Sequence, residues 1–275
     1  MAGKLMKVLI NDDFDLKKIE ESGQCFRVRE LKDGTWRFIH LNRVLYIRKN
    51  GDREYEVNAS QKDWEEIWIP YFDLERDYEE LRRLIPEEDG FMRRAAEYGK
   101  GIRVLRQDPW EMLITFIISQ RKNIPAITKS VELLCDMFGK EVPGEEIKLF
   151  PTVNELSAAT EEELNLCKLG YRTPYILDAT EKVRNGDIDL CKLDGLDDEA
   201  LFEELKRVRG VGDKVANCVC LFAYHRTSMV PVDTWIARII DLEYNGKNPF
   251  ARYKENGGIM QQWAFYYARS IGNRK

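Results

Sequence analysis

The chain has 275 residues, of which 44% are hydrophobic and 33% are charged, and its formal net charge is −5 at pH 7. This size and composition allow a sizeable core, which excludes an intrinsically disordered protein and permits one large domain or two to three small ones. No apolar run approaches the roughly 18 residues of a membrane span, and the N-terminus lacks a signal-peptide core, so we expect neither a membrane protein nor a secreted one.

The charge is distributed unevenly along the chain. Residues 51–90 and 131–200 carry net charges of −9 and −10, whereas residues 1–50, 91–130 and 201–275 carry +4, +5 and +5. One positive face on an acidic body would suit a protein that binds nucleic acid. The six cysteines are scattered without C-x-x-C spacing, which argues against a zinc site, an iron–sulfur cluster or a disulfide scaffold, so we expect no metal.

The first part of the chain predicts short strands joined by tight turns. The tripeptides at residues 32–34 (KDG) and 50–52 (NGD) are typical of hairpin turns. The predicted strands are Lys7–Ile10, Cys25–Leu31, Thr35–Leu41, Val44–Lys49 and Arg53–Val57. We therefore expect an antiparallel sheet at the start of the chain.

From about residue 61 onward the apolar spacing is helical. The predicted helices are Tyr78–Leu84, Phe91–Tyr98, Pro109–Ser119, Ile124–Phe138, Glu161–Cys167, Tyr171–Asn185, Asp198–Lys206, Gly212–Ala223, Thr234–Asp241 and Ile259–Arg269. Strands first and helices after indicate an α+β protein. We predict an N-terminal antiparallel sheet domain at residues 1–90 that packs on a mainly helical region of two subdomains at residues 91–275.

A turn rich in glycine between two predicted helices is the most informative feature. Gly210 and Gly212 permit positive φ or a close backbone approach, and an apolar helix follows. The free N–H groups of the Gly210, Val211 and Gly212 turn, together with the helix dipole, favour an anion such as a DNA phosphate. The alternative is an ordinary connection between helices with glycine at the C′ position.

Two residues near this turn are candidate catalytic residues. Lys214 lies among apolar and small neighbours in the first turn of the following helix, and partial desolvation favours a neutral amine that can form a Schiff base at a sugar. Asp233 follows an extended Val-Pro-Val run and precedes a predicted helix, so it is a good N-cap. A carboxylate there also suits the stabilisation of an oxocarbenium charge or the activation of the amine. A solvated lysine and a purely structural cap are the alternatives.

Five places spread over nearly the whole chain resemble the 8-oxoguanine DNA glycosylase/AP lyases of the helix-hairpin-helix (HhH-GPD) superfamily. They are the hairpin with Lys214 and Asp233, and the segments Ser22–Arg27, Phe116–Ile124, Leu169–Arg172 and Gly258–Phe265. The resemblance implies excision of 8-oxoguanine from damaged double-stranded DNA through a Lys214 Schiff base, followed by β-elimination, with no cofactor. The chain is similar to the short bacterial and archaeal branch, so we expect a monomer in a prokaryotic cytoplasm, associated with the nucleoid.

The resemblance assigns base recognition to four residues. The carbonyl of Gly23 would accept a hydrogen bond from N7–H of 8-oxoguanine, which guanine cannot donate. Gln261 would bind the Watson–Crick edge, and Phe265, on the same helix face, would stack on the flipped base. Cys218, four residues after Lys214, would lie on the other side of the base. The alternatives are a strand-entry turn at Gly23 and a core position for Phe265.

The resemblance also implies two elements that stabilise the opened duplex. The turn at Arg121, Lys122 and Asn123 would fill the gap left by the base, although only Asn123 retains the family's asparagine. Tyr171 would intercalate and Arg172 would reach the opposite base; an ordinary helix start is the alternative for this pair.

The sequence departs from the family pattern at three further positions. Ala126 replaces an arginine of the animal-type enzymes, which suggests weaker discrimination of the opposite base. Arg209 replaces a proline and Trp235 a histidine. Two other functions stay open: a glycosylase for another damaged base, and a non-catalytic hairpin protein that binds DNA and would need neither Lys214 nor Asp233.

Overall fold

The computed structural model describes residues 5–272. Contacts between Cα atoms divide them into two compact units. The first contains the described residues up to Phe38, Val44–Arg106 and those from His225 onward, and the second contains Ile39–Arg43 and Gln107–Tyr224. The predicted domain boundary at residue 90 lies inside the first unit, so these units divide the chain differently from the predicted domains, which stay a prediction.

Helices make up most of the regular structure. In chain order they are α1 (Leu16–Glu21), α2 (Gln61–Asp63), a π-helical turn (Trp64–Trp68), α3 (Ile69–Tyr71), α4 (Tyr78–Arg83), α5 (Gly90–Tyr98), α6 (Pro109–Ser119), α7 (Ile124–Phe138), α8 (Val153–Ser157), α9 (Glu161–Leu166), a 3₁₀ turn (Gly170–Arg172), α10 (Thr173–Asn185), α11 (Leu190–Leu193), α12 (Asp198–Lys206), α13 (Asp213–Phe222), α14 (Thr234–Tyr244), a 3₁₀ segment (Phe250–Asn256) and α15 (Gly257–Gly272). Within residues 5–272, none of these helices has the length and apolarity required to cross a membrane.

The sheet consists of five short strands. They are β1 (Met6–Leu9), β2 (Arg29–Glu30), β3 (Trp36–His40), β4 (Arg43–Lys49) and β5 (Glu54–Val57), in the spatial order β1-β5-β4-β3-β2. In the first unit, β5 pairs antiparallel with β1 and β4. Aromatic side chains form the core beside the sheet: the ring of Phe72 packs edge-on against Phe14 and Phe38, at centroid distances of 5.1 and 5.0 Å.

The second unit is a helical bundle around α6. This helix is apolar on nearly every side and buried from Met112 to Ser119, and it contacts α7, α10 and α13. The rings of Phe116 on α6 and Phe222 on α13 stack with centroids 5.4 Å apart and planes tilted by 16°. Because α13 also packs against α12, the two helices of the predicted hairpin are fixed to the centre of this unit.

The predicted α+β fold class is confirmed, with an antiparallel sheet followed by a mostly helical region. The predicted strand Cys25–Leu31 was wrong for most of its length, since only Arg29–Glu30 is extended. The buried Gln24 amide is instead tied to the chain at Arg103 and Leu105, which holds this segment away from the ladder. The sequence pattern also missed α1, α8 and α11, because helices of four to six residues are too short to show a period.

Candidate active site and nucleic-acid interface

The glycine turn between α12 and α13 has two glycines with different roles. Gly210 has φ +82°, and a Cβ atom there would lie 2.3 Å from the Tyr175 ring, so only glycine fits. Gly212 has φ −97° and is the N-cap of α13, with no side chain to bind the first N–H groups of that helix. The N-terminus of α13 is therefore left open for an external acceptor, whereas a carboxylate of Asp197 caps α12. Val211 between them is buried.

Lys214 lies half-buried in the first turn of α13. Its Nζ donates a hydrogen bond to Ser119 Oγ at 3.2 Å and lies 5.3 Å from the centroid of the Phe116 ring. Both partners belong to α6, so the amine is held against the core helix and does not extend into solvent. Cys218 lies one turn further along the same face of α13 and is buried.

The turn at residues 120–123 connects α6 to α7. Arg121 has a left-handed backbone (φ +53°) and an exposed side chain. The Asn123 side chain accepts from Ala126 N–H at 3.0 Å and caps α7. Lys122 is half-buried, and burial lowers its pKa, with the charges of Arg172 and Lys168 acting in the same direction.

The predicted wedge residues lie next to this turn. Tyr171 is 49% exposed, as intercalation requires. Arg172, in contrast, is 6% exposed. Its Nε donates to the carbonyl oxygen of Gln120 at 2.9 Å, and its Nη1 donates to that of Leu169 at 2.9 Å. Arg172 therefore joins the wedge to the turn, and its predicted contact with the opposite base stays a prediction.

The wedge and the glycine turn share a neighbour in Tyr175. The ring of Tyr175 packs edge-on against Tyr171 at 6.1 Å, and the backbone of Gly210 lies against the same ring. The second unit thus brings together the glycine turn, Lys214, the turn at residues 120–123 and the wedge.

In the first unit, the Gly23 loop is fixed by its two neighbours. Gly23 has φ +76°. The buried Gln24 side chain donates to Ser22 Oγ at 2.9 Å and to Arg103 O at 2.8 Å. Arg103, itself fully buried, donates to the carboxylate of Asp12 at 3.1 Å. These bonds leave the half-exposed Gly23 at the apex of a rigid loop.

Helix α15 binds the end of α1, directly before Gly23. Gln262 Nε2 donates to the carbonyl oxygen of Ser22 at 2.7 Å. One turn later, Tyr266 donates to the Glu21 carboxylate, and Arg269 donates to the Glu21 carbonyl oxygen, both at 2.8 Å. The first unit therefore brings the Gly23 loop and the helix that carries Gln261 and Phe265 together.

Gln261 is a buried polar side chain with an unused acceptor. It is 4% exposed, and its Oε1 has no hydrogen-bond partner among residues 5–272. A buried acceptor without a partner costs stability, so it is typical of a site that binds a ligand. Phe265, one turn later, is half-buried, with the Arg269 guanidinium 5.5 Å from its ring centroid.

The predicted cap role of Asp233 is confirmed: its Oδ1 accepts from Ile236 N–H at 2.9 Å and begins α14. Asp233 also acts on Arg269. Burial lowers the pKa of this guanidinium, while Tyr266, Glu21 and Asp233 raise it. Trp235 packs against the far end of α15, where a Cβ on Gly272 would lie 2.3 Å from its ring.

Sequence reasoning missed two residues of this arrangement. Ser119 was part of a recognised segment but received no role, because its partner Lys214 is 95 positions away. Arg269 touches Phe265 and Glu21 and faces Asp233, yet no motif included it. Its position two turns after Gln261 on an amphipathic helix was the available signal.

In comparisons with known proteins, two family models match consecutive parts of the chain. The model described as "8-oxoguanine DNA glycosylase, N-terminal domain" matches residues 7–113. The model described as "HhH-GPD superfamily base excision DNA repair protein" matches residues 114–254.

Individual proteins are similar over different lengths. The N-glycosylase/DNA lyase of Saccharomyces cerevisiae is 37% identical over 174 residues, which are 58% of this chain and 46% of the yeast protein. The structure of MBOgg1 in complex with a low-affinity DNA ligand is 36% identical, with a TM-score of 0.92 over 99% of this chain and 98% of that one. The Clostridium acetobutylicum 8-oxoguanine glycosylase/lyase, in complex with DNA containing cytosine opposite 8-oxoG, is 33% identical, with a TM-score of 0.88 over 97% and 98%.

Proposed function

Because the chain belongs to the HhH-GPD superfamily of base excision DNA repair proteins, we propose that it excises 8-oxoguanine from duplex DNA and then cuts the strand as an AP lyase. The observation that carries this proposal is the position of Lys214. This residue is half-buried beside the open N-terminus of α13, and its amine donates a hydrogen bond to Ser119 Oγ at 3.2 Å. An amine so held next to an anion-binding turn suits attack on a sugar whose phosphates are bound nearby.

Lys214 is the nucleophile in this mechanism. Its lone pair forms the Nζ–C1′ bond as the C1′–N9 bond breaks and the electron pair leaves with the base, which takes a proton from Nζ. The C1′–O4′ bond then breaks with its pair going to O4′, which takes the proton that the base received from Nζ, and an iminium ion and the base anion remain. The base anion removes a C2′ proton, the C2′–H pair forms the C2′=C3′ double bond, and the C3′–O bond breaks with its pair going to the phosphate. These steps need no metal or organic cofactor.

Asp233 stabilises the positive charge that develops on the sugar. As the cap of α14, its Oδ1 accepts a hydrogen bond from the backbone N–H of Ile236, so the carboxyl group lies at the N-terminus of that helix. An ionised carboxylate lowers the energy of an oxocarbenium-like transition state.

We assign recognition of the damaged base to Gly23, Gln261 and Phe265 in the first unit, and the predicted role of Cys218 stays a prediction. The unused acceptor of Gln261 and the rigid Gly23 loop support this assignment. The Gly23 carbonyl accepts from N7–H of 8-oxoguanine and repels the bare N7 of guanine, which separates the lesion from the normal base.

Damaged double-stranded DNA is the proposed partner. The turn of Gly210, Val211 and Gly212 binds a phosphate through the open N-terminus of α13. The exposed Tyr171 and Arg121 stabilise the opened duplex. Arg172, whose guanidinium donates to the carbonyl oxygen of Gln120, is the residue that we propose to contact the opposite base.

Borohydride trapping tests the chemistry and the substrate together. The protein is incubated with a duplex containing one 8-oxoguanine opposite cytosine, borohydride is added, and the covalent protein–DNA species is measured. We expect a trapped species that requires both the lesion and Lys214, so that Lys214→Gln and an undamaged duplex give none.

A duplex that keeps its 8-oxoguanine while the protein is trapped on another lesion would assign the activity to that lesion instead. Binding to DNA without trapping on any of the duplexes would indicate a non-catalytic protein.

A further inference from the structure

Ser119, the last residue of α6, forms a side-chain hydrogen bond with Lys214. The Lys214 Nζ donates to Ser119 Oγ at 3.2 Å, and Ser119 is 7% exposed. The Ser119 hydroxyl itself donates to the carbonyl oxygen of Phe116 at 2.7 Å. Since its single hydrogen is committed to that carbonyl, Oγ faces Lys214 as an acceptor.

The Phe116 ring provides a second contact to the same amine. Nζ lies 5.3 Å from the ring centroid, a distance at which the negative face of an aromatic ring attracts N–H groups. The ring is held in place by its stacking on Phe222. Both contacts to the amine therefore come from a rigid part of the second unit.

We propose that Ser119 is a positioning residue for Lys214, an inference that rests on the proposed function. A neutral primary amine has two N–H bonds and one lone pair. With one N–H donated to Ser119 Oγ and the other directed at the Phe116 ring, the lone pair points away from α6 and is free to attack carbon. The iminium nitrogen formed later keeps one hydrogen, which Ser119 continues to accept during β-elimination.

The test compares the wild type with Ser119→Ala, Ser119→Thr and a control, Thr115→Val. Thr115 lies one turn earlier in α6, is 1% exposed, and its hydroxyl oxygen has no hydrogen-bond partner among residues 5–272. Three quantities are measured. The first is the single-turnover rate of borohydride trapping on the 8-oxoguanine duplex, the second is the Kd for a duplex with a tetrahydrofuran site, which cannot form a Schiff base, and the third is the Tm of each variant.

We expect Ser119→Ala to slow trapping about tenfold, the effect of losing one hydrogen bond, while the Kd changes by less than about twofold. Ser119→Thr restores the rate because it keeps the hydroxyl, and Thr115→Val traps like the wild type. A wild-type rate for Ser119→Ala would overturn the proposal, and so would parallel losses in rate, affinity and Tm. If Ser119→Ala does not fold, Ser119→Cys replaces it, because its thiol is a weaker acceptor of similar size, and we expect it to trap more slowly than the wild type and Ser119→Thr.

A second measurement separates this proposal from the proposed function. If the wild type traps no DNA, the proposed function fails, but the amine can still be examined by reductive methylation with formaldehyde and cyanoborohydride. Peptide mass spectrometry gives the labelling of Lys214 relative to the exposed Lys247. We expect this ratio to fall in Ser119→Ala and to recover in Ser119→Thr; an unchanged ratio would overturn the positioning role.

Discussion

Lys122 Nζ donates a hydrogen bond to the carbonyl oxygen of Lys168, with the two atoms 2.7 Å apart. The same amine donates to Ser130 Oγ at 2.5 Å. Arg172 makes the matching bond in the other direction, because its guanidinium donates to the carbonyl oxygen of Gln120. The side chains of Lys122 and Arg172 therefore join the turn at residues 120–123 to the segment that contains the wedge. Arg121 differs from them, because it is exposed and makes no hydrogen bond or ion pair with the residues that the structure describes.

This difference predicts opposite results for two neighbouring substitutions. Arg121→Ala should leave Tm unchanged and weaken binding to the 8-oxoguanine duplex about tenfold, because the free cation is available to DNA. Lys122→Ala should lower Tm by a few degrees, on the order of 1 kcal/mol, because two hydrogen bonds that join structural elements are lost. Thermal unfolding and fluorescence anisotropy measure the two effects. A lower Tm for Arg121→Ala, with DNA affinity retained, would contradict this assignment.

Gln261 and Gln262 are adjacent buried glutamines that should respond differently to leucine. Gln261→Leu removes an acceptor without a partner, so we expect stability to rise by about 1 kcal/mol while excision of 8-oxoguanine is lost. Gln262→Leu removes the bond to Ser22 O, so it should lower stability by about 1–3 kcal/mol. Urea unfolding and a base-release assay test the pair. If both variants lose stability equally, Gln261 is a structural residue.

The two glycines of the hairpin turn should also be distinguishable. Gly210→Ala places a methyl group on the Tyr175 ring at positive φ, and we expect a loss of about 2 kcal/mol or more. Gly212→Ala meets no atom within 4 Å and has an ordinary φ, so Tm should stay close to that of the wild type. If a phosphate binds at this N-cap, the added methyl group nevertheless weakens DNA binding. The salt dependence of the Kd measures this, and an unchanged Kd would place the phosphate elsewhere.

His40 should make the protein less stable in mild acid. Burial lowers its pKa from 6.5 to about 4. As the pH falls below 6.5, the unfolded chain takes up a proton that the folded protein does not, so stability present above this pH is lost progressively down to about pH 4, by up to about 3 kcal/mol. We expect His40→Gln to flatten the dependence of the urea midpoint on pH between 7.5 and 4.5. An equal slope in the variant would assign the acid sensitivity to other groups.

Local signals accounted for the parts of the site that the sequence could predict. The hairpin, the cap at Asp233 and the helix that carries Lys214 depend on glycine spacing, a capping residue and an apolar period within a few positions of each other. The fold class followed for the same reason, because strands with turn residues precede helices with caps.

The parts that could not be predicted depend on contacts between distant segments. Arg172 reads as an exposed cation at a helix start, but it is 6% exposed, and its guanidinium donates to the carbonyl oxygen of Gln120, 52 positions away in the chain. The segment after Gly23 is apolar enough for a strand, yet hydrogen bonds to residues 103 and 105 determine its conformation. No window of sequence contains both partners of such a bond.

The attachment of α15 to the end of α1 affects the order in which the protein can mature during synthesis. Gln262 and Ser22 are 240 positions apart, so a ribosome must finish almost the whole helical region before the loop at Gly23 gains its last support. Translation adds about 5–20 residues per second, so the loop waits on the order of ten seconds or more after its own synthesis. On the proposed assignment of base recognition to Gly23, Gln261 and Phe265, lesion recognition is among the last properties acquired by the nascent protein, and a prematurely released chain that lacked α15 would carry the hairpin and Lys214 without that recognition site.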